Sequence, residues 1–481
     1  MAIKSLGKQT IIYGFGHVMA RLITFLLLPL YTHTFTKEEY GALSLAYAFM
    51  GFTIILYRYG MDTALMKFSI QTNGESRKNH ISVIVITQFL TSIFFSLILY
   101  FSRNTISEFI LGVNRPDWMV FLIIILFLDS FWNLPMLILR SEERAVPFIL
   151  FSLLNVISTM FFNIYFVVYL GEGIEGVFKA NIIASGIVSF FSFPILITII
   201  KLKFYKKKVL IKILYFALPF LPAGIFTMIM ELSDRYLIEW LLGTSEVGLY
   251  SAGKKMGMLG LTAVMGFNMG WTPYFLKKGK SKNAKTEFSI ITTIFLGIMG
   301  YICILVSLWV PEIMRLTISG KSLIGKEFWG CEPIVSMILL GYFFFGTYVI
   351  QLPGIYIKEV TNWVPIFRVI GASVLVLFSI VAIPIFGIIG AALGVVFAFI
   401  SMSLAIYLKT QSVYPIAYNW RGVFFPIFFL VIAQLGFQEY FFRILFSVFF
   451  PILWYLIAIT KIEKNIFNEQ LNSLYKSFSK K

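Results

Sequence analysis

Residues 118–139 read WMVFLIIILFLDSFWNLPMLIL. One charge, Asp129, interrupts an otherwise apolar run with no strict two-residue alternation. Such a run predicts a single membrane-spanning helix. The hydrocarbon core is about 30 Å thick, a helix rises about 1.5 Å per residue, and roughly 20 apolar residues are therefore needed. Thirteen more runs of this kind lie near 9–33, 40–66, 81–101, 146–170, 176–200, 211–241, 246–276, 287–310, 329–350, 361–384, 387–408, 420–436 and 440–460. The expected fold is an all-α integral membrane protein of about 14 transmembrane helices, since only helices or closed barrels satisfy the backbone in lipid.

Composition agrees. Of 481 residues, 59% are hydrophobic and 13% charged, where soluble domains carry about 25% charged. A secreted disulfide scaffold, a disordered regulator and an ordinary cytosolic enzyme are excluded. The net charge of +17 would suggest nucleic acid in a soluble chain. Here Lys and Arg collect in loops, as the positive-inside rule requires, and no nucleic-acid partner is expected. The N-terminal loop and every second loop after it hold about 26 cations, the alternate loops about 6. Both termini are therefore expected in the cytoplasm. Lys4 and Lys8 precede a run with no small-residue cleavage site, so it reads as a retained first helix and not a signal peptide.

The most basic loop, Lys201 to Lys212, follows six helices. It reads as the joint between an N-terminal six-helix lobe (1–206) and a second one (207–410). Two further helices (411–460) and a cytoplasmic tail (461–481) complete the expected organisation. A weak repeat supports the division. Thr36-Lys-Glu-Glu39-Tyr40-Gly41 opens the second helix, and Thr244-Ser-Glu246-Val-Gly248 opens the eighth. Six helices, an even number, separate the copies, so they share one orientation.

Several ionisable residues fall inside the runs: Arg21, Arg58, Asp62, Asp129, Lys179, Glu231, Asp234, Arg235, Lys254, Lys255 and Arg368. Each costs at least about 2.5–3.5 kcal/mol in a bilayer, and a water-filled cavity would accommodate them. Polar stripes at helical spacing run through Gly14, His17, Arg21 and Thr24; Ser44, Tyr47, Gly51, Arg58 and Asp62; Ser152, Asn155, Thr159 and Asn163; and Asn181, Ser185, Ser189 and Ser192. They read as interhelical glue or as a pathway wall. Arg58 with Asp62 and Glu231 with Arg235 stand four apart and can pair on their own helices. Lys179, Lys254 and Lys255 can also be read as snorkelling to a helix end. Asp129 can be read as bonded to a neighbouring backbone. Arg21 and Arg368 have no such partner. An excess of cations favours an anionic substrate, and Arg suits phosphate through its bidentate fork. Pro219, Pro222 and Gly224 in the seventh helix read equally as a static kink or a hinge.

No catalytic constellation is present. There is no phosphate-binding G-x-x-x-x-G-K-[ST] loop, and no carboxylate pair in a loop suits a metal-dependent transferase. Glu142 and Glu143, between Arg140 and Arg144, read as a solvated charge cluster. Cys303, Cys331 and three histidines offer no metal spacing. Neither a metal nor a cofactor is expected, and the chain is not expected to be an enzyme.

The stretches KQTIIYGFGHVMARLITFLLLPLY (8–31), EYGALSL (39–45) and YGMDTAL (59–65) resemble the opening of the bacterial polysaccharide-biosynthesis exporters. These are the Wzx-type O-antigen or oligosaccharide flippases, which share a superfamily with multidrug and toxin extruders and lipid II flippases. The resemblance implies two six-helix lobes in parallel pseudo-repeat about a cavity, with two C-terminal helices as in lipid II flippases. It implies transport of an undecaprenyl-pyrophosphate-linked oligosaccharide across the plasma membrane. Arg21, Arg58, Lys254, Lys255 and Arg368 are then the candidate pyrophosphate contacts. Asp62, Glu231 and Asp234 are candidates for coupling to a proton or sodium gradient. Membrane lipids are expected neighbours, and a polysaccharide polymerase and chain-length proteins are candidate partners. The alternatives are a lipid II flippase or a multidrug or cation extruder; an extruder would favour acidic cavity residues.

Overall fold

The computed structural model describes residues 25–465 except 202, 204, 319 and 435–438. Arg21 therefore lies outside the described residues. Packing divides the chain into two compact units, residues 1–252 and 253–481.

The first unit holds α1 (25–34), α2 (Lys37–Arg58), α3 (Met61–Gln71), α4 (Gly74–Phe101), α5 (Arg103–Leu111), α6 (Pro116–Ser141), α7 (Ala145–Asn163), α8 (Gly173–Ile197), α9 (Lys207–Ala217), α10 (Phe220–Leu242) and the start of α11 (Thr244–Lys278). The second holds the rest of α11 with α12 (Ala284–Arg315), α13 (Glu332–Ile350), α14 (Leu352–Ile357), α15 (Trp363–Phe386), α16 (Ile388–Val413), α17 (Trp420–Ala433) and α18 (Tyr440–Leu453). A two-residue hairpin, Thr317–Ile318 with Lys321–Ser322, decorates the loop after α12.

Among the described residues, eleven helical stretches are long and apolar enough to span a bilayer. Three expected spans fall outside that number. The run at 9–33 is described only from residue 25. The helix α17 has 14 residues. The helix α11 is 35 residues long, but Lys254, Lys255, Asn268 and its many glycines dilute its apolar character.

Two expected helices are broken. The run at 40–66 divides at Tyr59 and Gly60, where the backbone takes φ 28° and 83°. A side chain at Gly60 would strike the carbonyl of Ala217, so the residue type is required by the close approach of α9 as well as by its left-handed φ. Arg58 thus ends α2 and Asp62 sits in the first turn of α3. They do not share a continuous helical face, contrary to the expected four-residue pairing. The run at 211–241 divides at Leu218-Pro219, between α9 and α10. Proline supplies no backbone donor, and the ladder is interrupted there.

The repeated turn has a structural meaning. Thr36 caps α2 through a reciprocal bond pair: Glu39 N donates to Thr36 Oγ1 at 3.2 Å and Thr36 N donates to Glu39 Oε2 at 2.9 Å. Gly41 faces the Thr244 carbonyl, and Gly248 faces the Lys37 carbonyl. A Cβ built on either glycine would lie 3.0 Å from the other's nitrogen. The contact is reciprocal, as two copies of one motif about a local two-fold axis produce.

In the second unit, α13 packs on α16 and α15 on α16. The glycines of α11 admit α13 closely: Gly253 meets Ile334 and Gly257 meets Ile338. The two last helices dock on α12. Pro426 of α17 fits over Gly300, and Trp454, just past α18, over Gly297. Arg443 on α18 pairs with Glu312 on α12, and Trp309 Nε1 donates to Ser447 Oγ at 3.2 Å.

Candidate functional site

The polar stripes of the first unit converge. Tyr31 on α1 donates its hydroxyl to Asn163 Oδ1 on α7 at 2.8 Å. Tyr31 is also hydrogen-bonded to Tyr47 on α2. Asn181 Nδ2 on α8 donates to the Tyr47 hydroxyl at 3.0 Å. One turn along α8, Ser185 donates to Asp129 Oδ1 on α6 at 2.6 Å, and Trp132 Nε1 donates to the same oxygen at 3.0 Å. Five helices are thus tied by one line of hydroxyls, amides and a carboxylate.

Arg58 stands at the end of this line, within the electrostatic reach of Asp62 and Asp129. Its Nε is buried with no hydrogen-bond partner among the described residues. The Asp62 carboxylate accepts from the Thr63 backbone N–H at 2.8 Å. A guanidinium with an unused donor beside two carboxylates can take up an anion, or exchange partners when a carboxylate is neutralised.

The other sequence candidates are placed differently. Asp234 is fully buried and accepts from the Tyr250 hydroxyl at 2.6 Å, which ties α10 to α11. Arg235 reaches the backbone carbonyl of Glu231 at 3.3 Å and the Asp234 carboxylate at 3.8 Å. Glu231 itself is exposed. Lys179 pairs with Glu172 at 2.9 Å. Glu142 bridges Arg77 at 2.8 Å and Arg144 at 3.6 Å. In the second unit, Lys254 is buried inside the protein, Lys255 is half-buried, and Arg368 on α15 lies in electrostatic range of Tyr348 on α13. Among the described residues, no three His, Cys, Asp or Glu side chains gather as metal ligands.

Residues 6–279, more than half of the chain, match the profile of the family described as polysaccharide biosynthesis protein. The chain belongs to that family. This polysaccharide biosynthesis protein is 24% identical over 352 residues to a protein of the Lsg locus of Haemophilus influenzae, covering 70% of this chain and 84% of the relative. A membrane protein of the same organism is 21% identical over 361 residues, covering 72% and 83%. Its fold is that of the lipid II flippase MurJ in an inward closed conformation: TM-score 0.73, 15% identity, 96% of this chain and 99% of that one. It is also that of an inward-facing multidrug resistance MATE transporter of the MOP superfamily: TM-score 0.68, 16% identity, 82% and 97%. This polysaccharide biosynthesis protein is thus a multi-pass membrane protein with the all-α fold of that superfamily.

Within it, the residue that sequence reasoning undervalued is Asp129. Alone on its run, it reads as bonded to nearby backbone; its partners are instead two side chains, one from another helix. The available signal was Ser185, on the α8 stripe.

Proposed function

We propose that this polysaccharide biosynthesis protein is a flippase for an undecaprenyl-pyrophosphate-linked oligosaccharide, a surface polysaccharide repeat unit of the O-antigen kind. It works by alternating access in the bacterial plasma membrane, with both termini in the cytoplasm. The observation that carries the reading is Arg58: a half-buried side chain whose Nε–H is buried and unused, at the end of a hydroxyl and amide line crossing five helices. Pyrophosphate needs cations, sugars need polar walls, and the polyprenyl tail can stay in lipid. Arg21, Arg58, Lys254, Lys255 and Arg368 contact the pyrophosphate in this scheme. Asp62, Glu231 or Asp234 couples transport to a proton or sodium gradient. The repeat boundary at 206/207 and partnership with a polymerase and chain-length proteins belong to the same proposal.

A lipid II flippase is the second reading, favoured by the near-complete coverage of the MurJ fold, including its C-terminal helices. One experiment separates the two. In a strain deleted for the gene, lipid-linked intermediates are extracted and their leaflet is read with an impermeant sugar-modifying probe. Accumulation of an undecaprenyl-linked repeat unit on the inner leaflet supports the first reading, and accumulation of lipid II supports the second. Normal outer-leaflet intermediates of both kinds refute both.

A further inference from the structure

The second unit contains a cavity of about 250 Å3 bounded by α12, α13, α16 and α17. At roughly 30 Å3 per water-sized group, it holds about eight carbon-sized groups. Its outer wall is apolar and exposed: Leu404, Trp420 and Phe424 are 57%, 46% and 59% accessible. In a membrane protein this rim faces acyl chains.

The inner wall is not purely apolar. Gln351 Nε2 donates to the Thr347 carbonyl at 2.8 Å and to the Ser403 carbonyl at 3.3 Å. Two carbonyl acceptors fix which way the amide faces. Its Oε1 then has no partner among the described residues, and neither has the buried Tyr418 hydroxyl. Burial pushes the Tyr418 phenol above its ordinary value, so it stays a neutral O–H donor. Buried polar atoms left unpaired are unfavourable, and a ligand that pairs both relieves that.

Two cations stand on the helices that bound the cavity, Lys285 on α12 and Arg421 on α17. Lys285 precedes Thr292 and Leu296 on one face of α12, and its amine lies 4.9 Å from the Tyr414 ring. Arg421 is exposed beside Trp420. The nearby Glu463 carboxylate is occupied by Asn419 and Thr460.

We infer that this cavity is a binding site for an anionic glycerophospholipid, with the first carbons of one acyl chain inside, its ester and glycerol groups on Tyr418 and Gln351, and its phosphate by Arg421 and Lys285. A polyprenyl chain fits less well. It has no polar atom between its phosphate and its tail, and would leave both orphan groups unpaired.

The test is native mass spectrometry of the full-length protein in detergent, titrated with phosphatidylglycerol, phosphatidylcholine or undecaprenyl phosphate. Phosphatidylglycerol is expected to be retained at least about tenfold more than phosphatidylcholine. Tyr418→Phe should weaken retention about fivefold, as loss of one ordinary hydrogen bond does. Val423→Trp should abolish it by filling the cavity. Leu404→Trp, at an exposed position, closes the mouth if Val423→Trp does not fold. Equal retention of the two phospholipids, unchanged retention in a folded cavity-filling variant, or displacement of phosphatidylglycerol by equimolar undecaprenyl phosphate would each overturn the assignment.

Discussion

Asp129 and Arg58 form the pair whose coupling is most open to measurement. Asp129 accepts two side-chain hydrogen bonds, from Ser185 at 2.6 Å and Trp132 at 3.0 Å. Bonds to a charged acceptor are worth about 1.5–3 kcal/mol and neutral ones about 0.5–1.5 kcal/mol. Asp129→Asn can keep a carbonyl facing both donors and loses only the charge. It should cost about 2 kcal/mol, roughly 1 kcal/mol for each bond. Asp129→Leu removes the acceptor as well and leaves Arg58 with Asp62 as its nearby countercharge; about 3–5 kcal/mol is expected. In an Arg58→Gln background the charge of Asp129 has less to offset, so Asp129→Asn should cost about 1–2 kcal/mol less there. The assay is reversible unfolding of the purified protein in mixed micelles, run as a double-mutant cycle. Costs that add to within about 0.5 kcal/mol would mean the two groups do not interact, and the charge-exchange account of this site would fail.

Other expectations follow from the packing. Gly41→Val and Gly248→Val should each sharply lower the yield of folded protein, measured by fluorescence-detected size exclusion, because either side chain meets the other copy's backbone; a normal yield of both would contradict the reciprocal contact. Gly60→Ala should destabilise by more than about 1 kcal/mol, since it combines a left-handed φ with a clash on Ala217. Arg443→Ala should loosen the C-terminal helices, seen as faster proteolysis near α18, and should cost more than Arg443→Ala combined with Glu312→Ala, because the single change strands a carboxylate. Cys303 and Cys331 are both buried, so maleimide should label them only after unfolding in SDS.

Much of this was legible in the sequence because the bilayer enforces simple rules. Apolar length alone marked most spans, and the turns at Gly41 and Gly248 pointed to a repeat whose copies meet in the structure. The breaks were harder to read. Tyr59-Gly60 lies between Arg58 and Asp62 inside a long, otherwise largely apolar run, and one glycine in such a run is usually tolerated. Only the approach of Ala217, from 157 residues further on, explains it. The Glu231–Arg235 spacing misled for a related reason. A four-residue interval permits a side-chain pair, but a carboxylate on the adjacent residue, Asp234, and the Glu231 backbone carbonyl one turn back compete for the guanidinium. The stripes were visible as periodicity, while which members would meet depended on helix rotation. Ser152 and Thr159 bond back to their own helices, at Phe148 and Asn155; Asn163, two turns beyond Asn155 and one beyond Thr159, crosses to Tyr31.

This contrast also bears on what the polar line is for. A hydroxyl bonded to its own helix costs the fold little and joins nothing. A line through Tyr31, Tyr47, Asn163, Asn181, Ser185 and Asp129 fixes five helices relative to one another, so glue accounts for most of it. Glue does not account for Arg58. Structural ion pairs are stabilising only when their remaining donors are satisfied, and replacing an unsatisfied one by an apolar residue usually gains stability. Arg58 leaves Nε buried and unused, and a buried donor without a partner is costly. Fold stability alone therefore argues for leucine or methionine at this position. A donor kept available at the end of an otherwise satisfied polar line is what an anionic substrate group requires, and Arg58 is for that reason the first residue to substitute in a transport assay.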